Sequence, residues 1–441
     1  MKKKLLFNLL LLISSYGFAQ TYNMTTPEGF GAATTGGGDG SPIILVDNYQ
    51  DFKDALGLSS PRTIIVKGTI TIPEYQSISK RVVNKTILGL PGATLENMSQ
   101  TQSGSGILNL SNGSENVIIR NLTFKGPGAY DVDGRDLLTS EGCNNLWVDH
   151  CEFQDGLDGN FDIKNTTDNV TVSWCKFTYL LPPKAGGSGG SNDHRFSNLV
   201  GSSKTNAPAD GHFSVTFQNC YWADGCKDRM PRARNAELHI LNCYYNTSVD
   251  NANAIGLGGG PNNTTCYVEN TNFDNIESIF KSYNGSDGGV VYLQFENCLN
   301  GINNIGSVDK PSYEYTTYNV EDVKDAVTSE SCGAGATLII DEAGTISSSC
   351  DKLSIEDNAI FAVKFYPTVF SESLFFELPT SFTGKTVISI YSVTGKRVFE
   401  FTSQHSTHEP QELQLGQLNS GMYFCKVQNG NQSKVYKVIK K

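Results

Sequence analysis

The sequence predicts an all-β protein, a right-handed parallel β-helix followed by a small C-terminal β-sandwich, on three observations. A strand-like motif recurs through residues 116–273, columns of like residues accompany it, and a different strand pattern replaces it after residue 336.

The motif reads NVIIRNLTF ending at Phe124, NLWVDHCEF at Phe153, NVTVSWCKF at Phe177, SVTFQNCYW at Trp222, LHILNCYY at Tyr245 and CYVENTNF at Phe273. Successive aromatics are 29, 24, 45, 23 and 28 residues apart, and the one long gap holds a Gly-, Ser- and Pro-rich insertion at 181–211. Alternating β-branched residues bounded by Asn and Gly favour strands over helices, so each repeat is one coil. A β-sandwich with coincidental spacing is the competing architecture.

Three residues before the aromatics stand Asn121, His150, Trp174, Asn219, Asn242 and Asn270. This column predicts an Asn ladder at a turn, each amide bonding to the coils above and below. Two residues before them stand Cys151, Cys175, Cys220 and Cys243, expected to point inward as free, stacked apolar thiols. Coils about 4.8 Å apart leave a disulfide between neighbours open. Open stacks need caps, and a helical stretch at 48–56 is the expected one.

The chain has 441 residues with 34 Lys and Arg against 45 Asp and Glu, a net charge of -11. No basic cluster follows the first few residues, which argues against nucleic acid as a partner. An acidic protein gripping an acidic substrate needs converging arginines or a bridging cation. At the N-terminus, MKKKLLFNLLLLISSYGFAQ sets three lysines before an apolar run and ends near Gly17-Phe18-Ala19, predicting a signal peptide at 1–19. That run is shorter than the roughly 20 residues a spanning helix needs. The expectation is a secreted, soluble monomer with no membrane span. Eleven cysteines leave at least one unpaired, and Cys332 with Cys350, outside the coils, are the disulfide candidates.

Polar residues also recur on an earlier strand of each coil. Asp136 lies 17 residues before Phe153, Asp162 15 before Phe177 and Arg229 16 before Tyr245, so the spacing predicts one shared face. Asp158, four residues before Asp162, can project to the same place. Converging carboxylates need a cation, and an all-oxygen set suits calcium; a solvated acidic face is the alternative.

Asn145-Leu146-Trp147-Val148-Asp149-His150, then Phe161-Asp162-Ile163-Lys164 with Val170-Thr171-Val172-Ser173-Trp174, then Arg229-x-Pro231-x-x-Arg234 with His239 and Asn242, resemble the pectate lyases of polysaccharide lyase family 1. The resemblance runs from about residue 28 to residue 336. It implies calcium bound by Asp136, Asp158 and Asp162, Arg229 as catalytic base, Arg234 on a substrate carboxylate, and a structural role for Asp149 and His150. The implied reaction is calcium-assisted β-elimination of (1→4)-α-D-galacturonan, the polygalacturonate of pectin. Two positions depart from the pattern. Gly134 stands where many members have an Asp, with Asp133 beside it, and the substrate-binding Lys falls on Phe196, leaving Arg195, the nearest cation, to stand in as the substrate-binding residue.

After residue 336, Phe365-Tyr366-Pro367-Thr368, Ile388–Lys396 and Leu418–Tyr423 alternate as strands, with turns at Thr394-Gly395 and Ser420-Gly421. This segment resembles the sorting domain of the type IX secretion system, which implies that machinery as a partner; a carbohydrate-binding module is the alternative. The expected organisation is a signal peptide at 1–19, the β-helix at 20–337, a linker at 338–361 and the sorting domain at 362–441. Rival functions are a pectin lyase acting on methylated pectin, a hydrolytic galacturonase, and a non-catalytic polysaccharide-binding or adhesive β-helix.

Overall fold

In the computed structural model, residues 26–348, 363–378, 385–403, 410–429 and 432–441 are described. The expected signal peptide and most of the expected linker lie outside them. The chain divides into two compact units, 1–352 and 353–441.

The first unit is a parallel β-solenoid of about nine turns. Three parallel sheets of ten, eight and eight strands run along it. Most coils contribute a strand to each sheet, as Leu138–Glu141, Asn144–Asp149 and Glu152–Gln154 show. The aromatic repeat is one continuous internal stack. Phe124, Phe153, Phe177, Trp222, Tyr245 and Phe273 follow one another at ring-centre distances of 4.9, 5.2, 5.7, 4.5 and 4.7 Å. Such stacking adds roughly 1 kcal/mol per pair to the area buried. Cys151, Cys175, Cys220 and Cys243 are buried free thiols, as their column implied.

The Asn column has a different physical basis from the one expected. Asn121, His150, Trp174, Asn219, Asn242 and Asn270 all have φ between 45° and 59°. Each is the left-handed residue at a sharp turn between two strands, a conformation Asn tolerates better than other side chains. Ladder-like bonds to a neighbouring coil occur at two places: the Asn121 amide donates to the Gly89 carbonyl of the preceding coil, and Asn270 accepts from the amide of Asn297 in the next. The Asn121 amide bonds the backbone of Leu338, and Asn242 bonds Thr316 and Tyr318, so both tie C-terminal segments onto the solenoid. His150 and Trp174 depart from Asn because their rings stack at 5.6 Å, and Trp174 packs against Val323, Ala326 and Val327 of the helix Val320–Thr328.

The cap is a helix at Tyr49–Leu56, started by Asn48, whose side chain accepts from the Asp51 amide at 3.0 Å. It buries Phe52, Ala55 and Leu56 over the first coil. The segment expected as linker begins as a hairpin of Leu338–Ile340 and Ile346–Ser348, with Leu338 and Ile340 packed on Ile65 and Leu88. Cys332 is disulfide-bonded, and Cys350 lies outside the described residues.

The second unit has a three-stranded sheet and a five-stranded sheet around Phe365, Phe376, Ile388, Ile390, Leu413, Cys425 and Val427. Thr386–Ser392 and Arg397–Ser403 pair antiparallel across a turn closed by Gly395 at φ 80°. Among the described residues, no helix is long and apolar enough to cross a membrane.

Candidate active site

The polar residues gather along the eight-stranded sheet that contains Leu138–Glu141, Phe161–Lys164, Leu199–Val200, Arg232–Ala233, Asn253–Leu257 and Ser278–Ser282. Asp162 lies within its strand and pairs with Thr139, not with Asp136. Asp136 and Arg229 instead lie in the turns just before their strands, so the shared face holds while the exact register does not.

Lys164 ties the carboxylates together. Its Nζ donates to Asp136 Oδ2 at 2.8 Å and stands 3.0 Å from Asp162 Oδ2, with both aspartates buried. Burial works against the Lys164 charge, but the two carboxylates outweigh it and hold its pKa well above normal. Burial and then the Asp136 charge push the Asp162 carboxyl up to about 7, against the opposing charges of Lys164 and Arg229. Thr139 Oγ1 also donates to Asp136 Oδ2, and the Leu199 amide donates to Asp162 Oδ1.

The fourth carboxylate oxygen differs. Asp136 Oδ1 is buried and has no hydrogen-bond partner. Gly159 lies between the two aspartates: a Cβ there would sit 2.7 Å from Asp136 Oδ1 and 3.3 Å from Asp162 Oδ1. Glycine thus leaves open a space bounded by two carboxylate oxygens, a donor set that fits a hard cation. Asp158 borders this region, its Oδ1 3.0 Å from His194 Nε2.

The Arg229 guanidinium lies over the Phe196 ring, its carbon 4.5 Å from the ring centre, and its φ is 60°. Arg232 and Arg234 both reach Asp287 Oδ2, at 2.7 and 3.1 Å, and Arg232 also covers Tyr283 at 3.6 Å. Burial and the Arg232 charge lower the Arg234 pKa from its usual value. Arg195 is held at both ends of its fork by Asp193, at 2.7 Å each, which also receives Lys227. Asp149 is remote from this sheet, locked to Arg120, His150 and Ser173.

Lys164, Asp287 and Tyr283 carry much of this arrangement and were not singled out from sequence. Lys164 follows Asp162 by two residues on one strand, which alone puts both on the same face. Asp287 arrives from a short turn of helix two coils beyond Arg234's strand, and no sequence spacing announces it.

Fold and site together define a parallel β-helix protein with a carboxylate and arginine site on one sheet. The chain belongs to the pectate lyase family, whose profile matches residues 8–337; residues 364–441 match the secretion system C-terminal sorting domain. Pectate trisaccharide-lyase from Thermotoga sp. strain RQ2 is 33% identical over 238 residues, 52% of this chain and 56% of that protein. Pectate lyase A from Aspergillus niger is 30% identical over 324 residues, 70% of this chain and 88% of its own. The chain spans little more than half the length of the first of these relatives. Among solved structures, a pectate lyase from Paenibacillus sp. 0602 superposes with a TM-score of 0.54 at 17% identity, covering 71% of this chain and 96% of its own. One from Bacillus sp. N165 in complex with trigalacturonate gives 0.52 at 21%, covering 68% and 96%. These two support the fold. The sorting domain marks the protein for export to the cell surface or beyond.

Proposed function

We propose that the protein is a secreted pectate lyase that cleaves polygalacturonate by β-elimination, with calcium held by Asp136, Asp158 and Asp162. The observation that carries the reading is the opening at Gly159 between Asp136 Oδ1, which lacks a partner, and Asp162 Oδ1. Calcium held there would supply positive charge that acidifies the proton beside the substrate carboxylate.

The chain's own residues do the rest. Lys164 holds Asp136 and Asp162 in fixed orientation. Acting from its neutral form, Arg229, seated on Phe196, accepts the proton from C5 as the bond from C4 to the glycosidic oxygen breaks. Arg234, positioned by Asp287, holds a galacturonate carboxylate. Arg195 shares Asp193 with Lys227 and contributes positive potential beside the groove more than a free fork. The type IX secretion machinery is the export partner that the C-terminal domain addresses.

The test is incubation with polygalacturonate and with methylated pectin, with and without a chelator, following ultraviolet absorbance of the unsaturated product. The expected result is absorbance on polygalacturonate that the chelator abolishes. Absorbance on neither substrate overturns the lyase reading, and chelator-insensitive preference for methylated pectin replaces it with a pectin lyase.

A further inference from the structure

We propose a second cation site, formed by Asp131, Asp158 and His194, that takes a divalent transition metal such as Zn2+ rather than calcium. One ligand atom from each residue lies within 4.8 Å of the other two. His194 is 7% exposed, and its Nε2 and Nδ1 stand 3.0 Å from Asp158 Oδ1 and 3.4 Å from Asp131 Oδ2. Yet neither ring nitrogen has a hydrogen-bond partner. The carboxylates are close to the imidazole, but the directions are wrong for N–H···O bonds.

A metal on one ring nitrogen accounts for closeness without alignment at that nitrogen, Nε2 beside Asp158 Oδ1 being the nearer pair, and leaves the Nδ1 side toward Asp131 for the imidazole N–H. Two atoms each about 2.0–2.2 Å from one ion sit about 3 Å apart, their lone pairs converging on the ion and not on each other. One imidazole nitrogen with two carboxylates is a three-ligand set suited to zinc and its neighbours, whereas calcium prefers oxygen alone.

The chain around the site is built to hold it. The Asp131 carbonyl accepts from the Gly189 amide at 2.9 Å, and Asp131 Oδ2 accepts from the Ser191 amide at 2.7 Å. A Cβ on Gly189 would lie 1.9 Å from Asp131 Oδ1, and one on Gly187 would lie 1.9 Å from the Asp131 carbonyl oxygen. The glycine-rich insertion therefore wraps Asp131 more closely than any other residue type permits, and the same insertion delivers His194. The Phe196 ring, 4.1 Å from the imidazole, walls one side. Asp158 is common to this site and the proposed calcium set, but none of these observations depends on calcium or on lyase activity.

The experiment is isothermal titration of the full-length, calcium-free protein with Zn2+, together with NMR of the protein loaded with Co2+. The expected result is one Zn2+ per chain, weakened at least about tenfold in His194→Gln and in Asp131→Asn. The Co2+ form should show a paramagnetically shifted imidazole N–H, a readout that requires no variant to fold. No Zn2+ binding by the parent protein overturns the proposal. Zn2+ binding unchanged in both variants, or no shifted imidazole proton, overturns it as well.

Discussion

The guanidinium carbon of Arg229 lies 4.5 Å from the centre of the Phe196 ring, at the position where a lysine was expected from the family pattern. An aromatic face under a partly desolvated cation contributes about 1–2 kcal/mol, and here it fixes where the guanidinium points. Phe196→Ala should therefore lower kcat by about tenfold, since 1.4 kcal/mol is one decade. Arg229→Lys should abolish turnover while leaving the melting temperature unchanged, because Lys meets the same cost as Arg at a φ of 60°. Turnover retained in Arg229→Lys would remove Arg229 as the base.

Lys164 faces two buried carboxylates, so its removal leaves charge uncompensated. Breaking one partner from such a cluster costs about 3–5 kcal/mol. Lys164→Met should destabilise the chelated protein by about 3 kcal/mol, and added calcium should recover much of that loss. The measurement is urea unfolding with chelator and with saturating calcium. An equal loss in both conditions would mean that calcium does not reach Asp136 and Asp162.

The parts of this site that sequence reveals are those with a period. The aromatic column was legible because one large ring per coil cannot be accommodated anywhere but inside. The register of the polar face was less so. Thr139, Asp162 and Arg232 occupy one column through Leu199, yet they lie 14, 15 and 13 residues before the aromatic of their coils. Turns differ by a residue from coil to coil, so counting back from the aromatic slips by that amount. The cause of the Asn column was hidden for a different reason: hydrogen bonding and left-handed backbone both select Asn, and only His150 and Trp174, which cannot form the ladder, reveal that backbone conformation is what the positions share. Asp287 could not be read at all, because its contact with Arg232 and Arg234 spans 55 and 53 residues without any repeat element.

Asp149 makes stability depend on pH in a defined window. Burial alone would raise its pKa, but the charges of His150 and Arg120 and hydrogen bonds from His150 and Ser173 outweigh it and hold the carboxyl at about 2. A depressed folded-state pKa contributes stability above the unfolded value of about 4, and that contribution is lost as pH falls toward 2. The contribution is on the order of 2 kcal/mol. Asp149→Asn also leaves the Arg120 charge buried without its carboxylate, so it should cost about 3 kcal/mol at pH near 6. The difference from the parent should narrow as pH drops from about 4 to about 2. Denaturant unfolding across that range is the measurement, and a difference independent of pH would show that Asp149 is not the titrating group.

Asn121 combines the two demands of its column, and two substitutions separate them. Its amide donates to the carbonyls of Gly89 and Leu338 at 2.8 and 2.9 Å and accepts from the Leu338 amide at 2.8 Å, all in a buried setting. Its φ is 59°. Asn121→Gly keeps the left-handed backbone and loses the three bonds, which leaves buried groups without partners at about 1–3 kcal/mol each. Asn121→Ala loses the same bonds but keeps a left-handed Cβ without the polar side chain that eases it in Asn, which puts it about 1 kcal/mol below Gly. The prediction is thus that both variants destabilise the solenoid and that Ala is worse than Gly by about 1 kcal/mol, measured by denaturant unfolding. Both should also loosen the hairpin that Leu338 begins, read as faster hydrogen exchange at the Leu338 amide. If Gly and Ala cost the same, the column is selected by its hydrogen bonds and not by its backbone, and the ladder would be the better account of why Asn recurs.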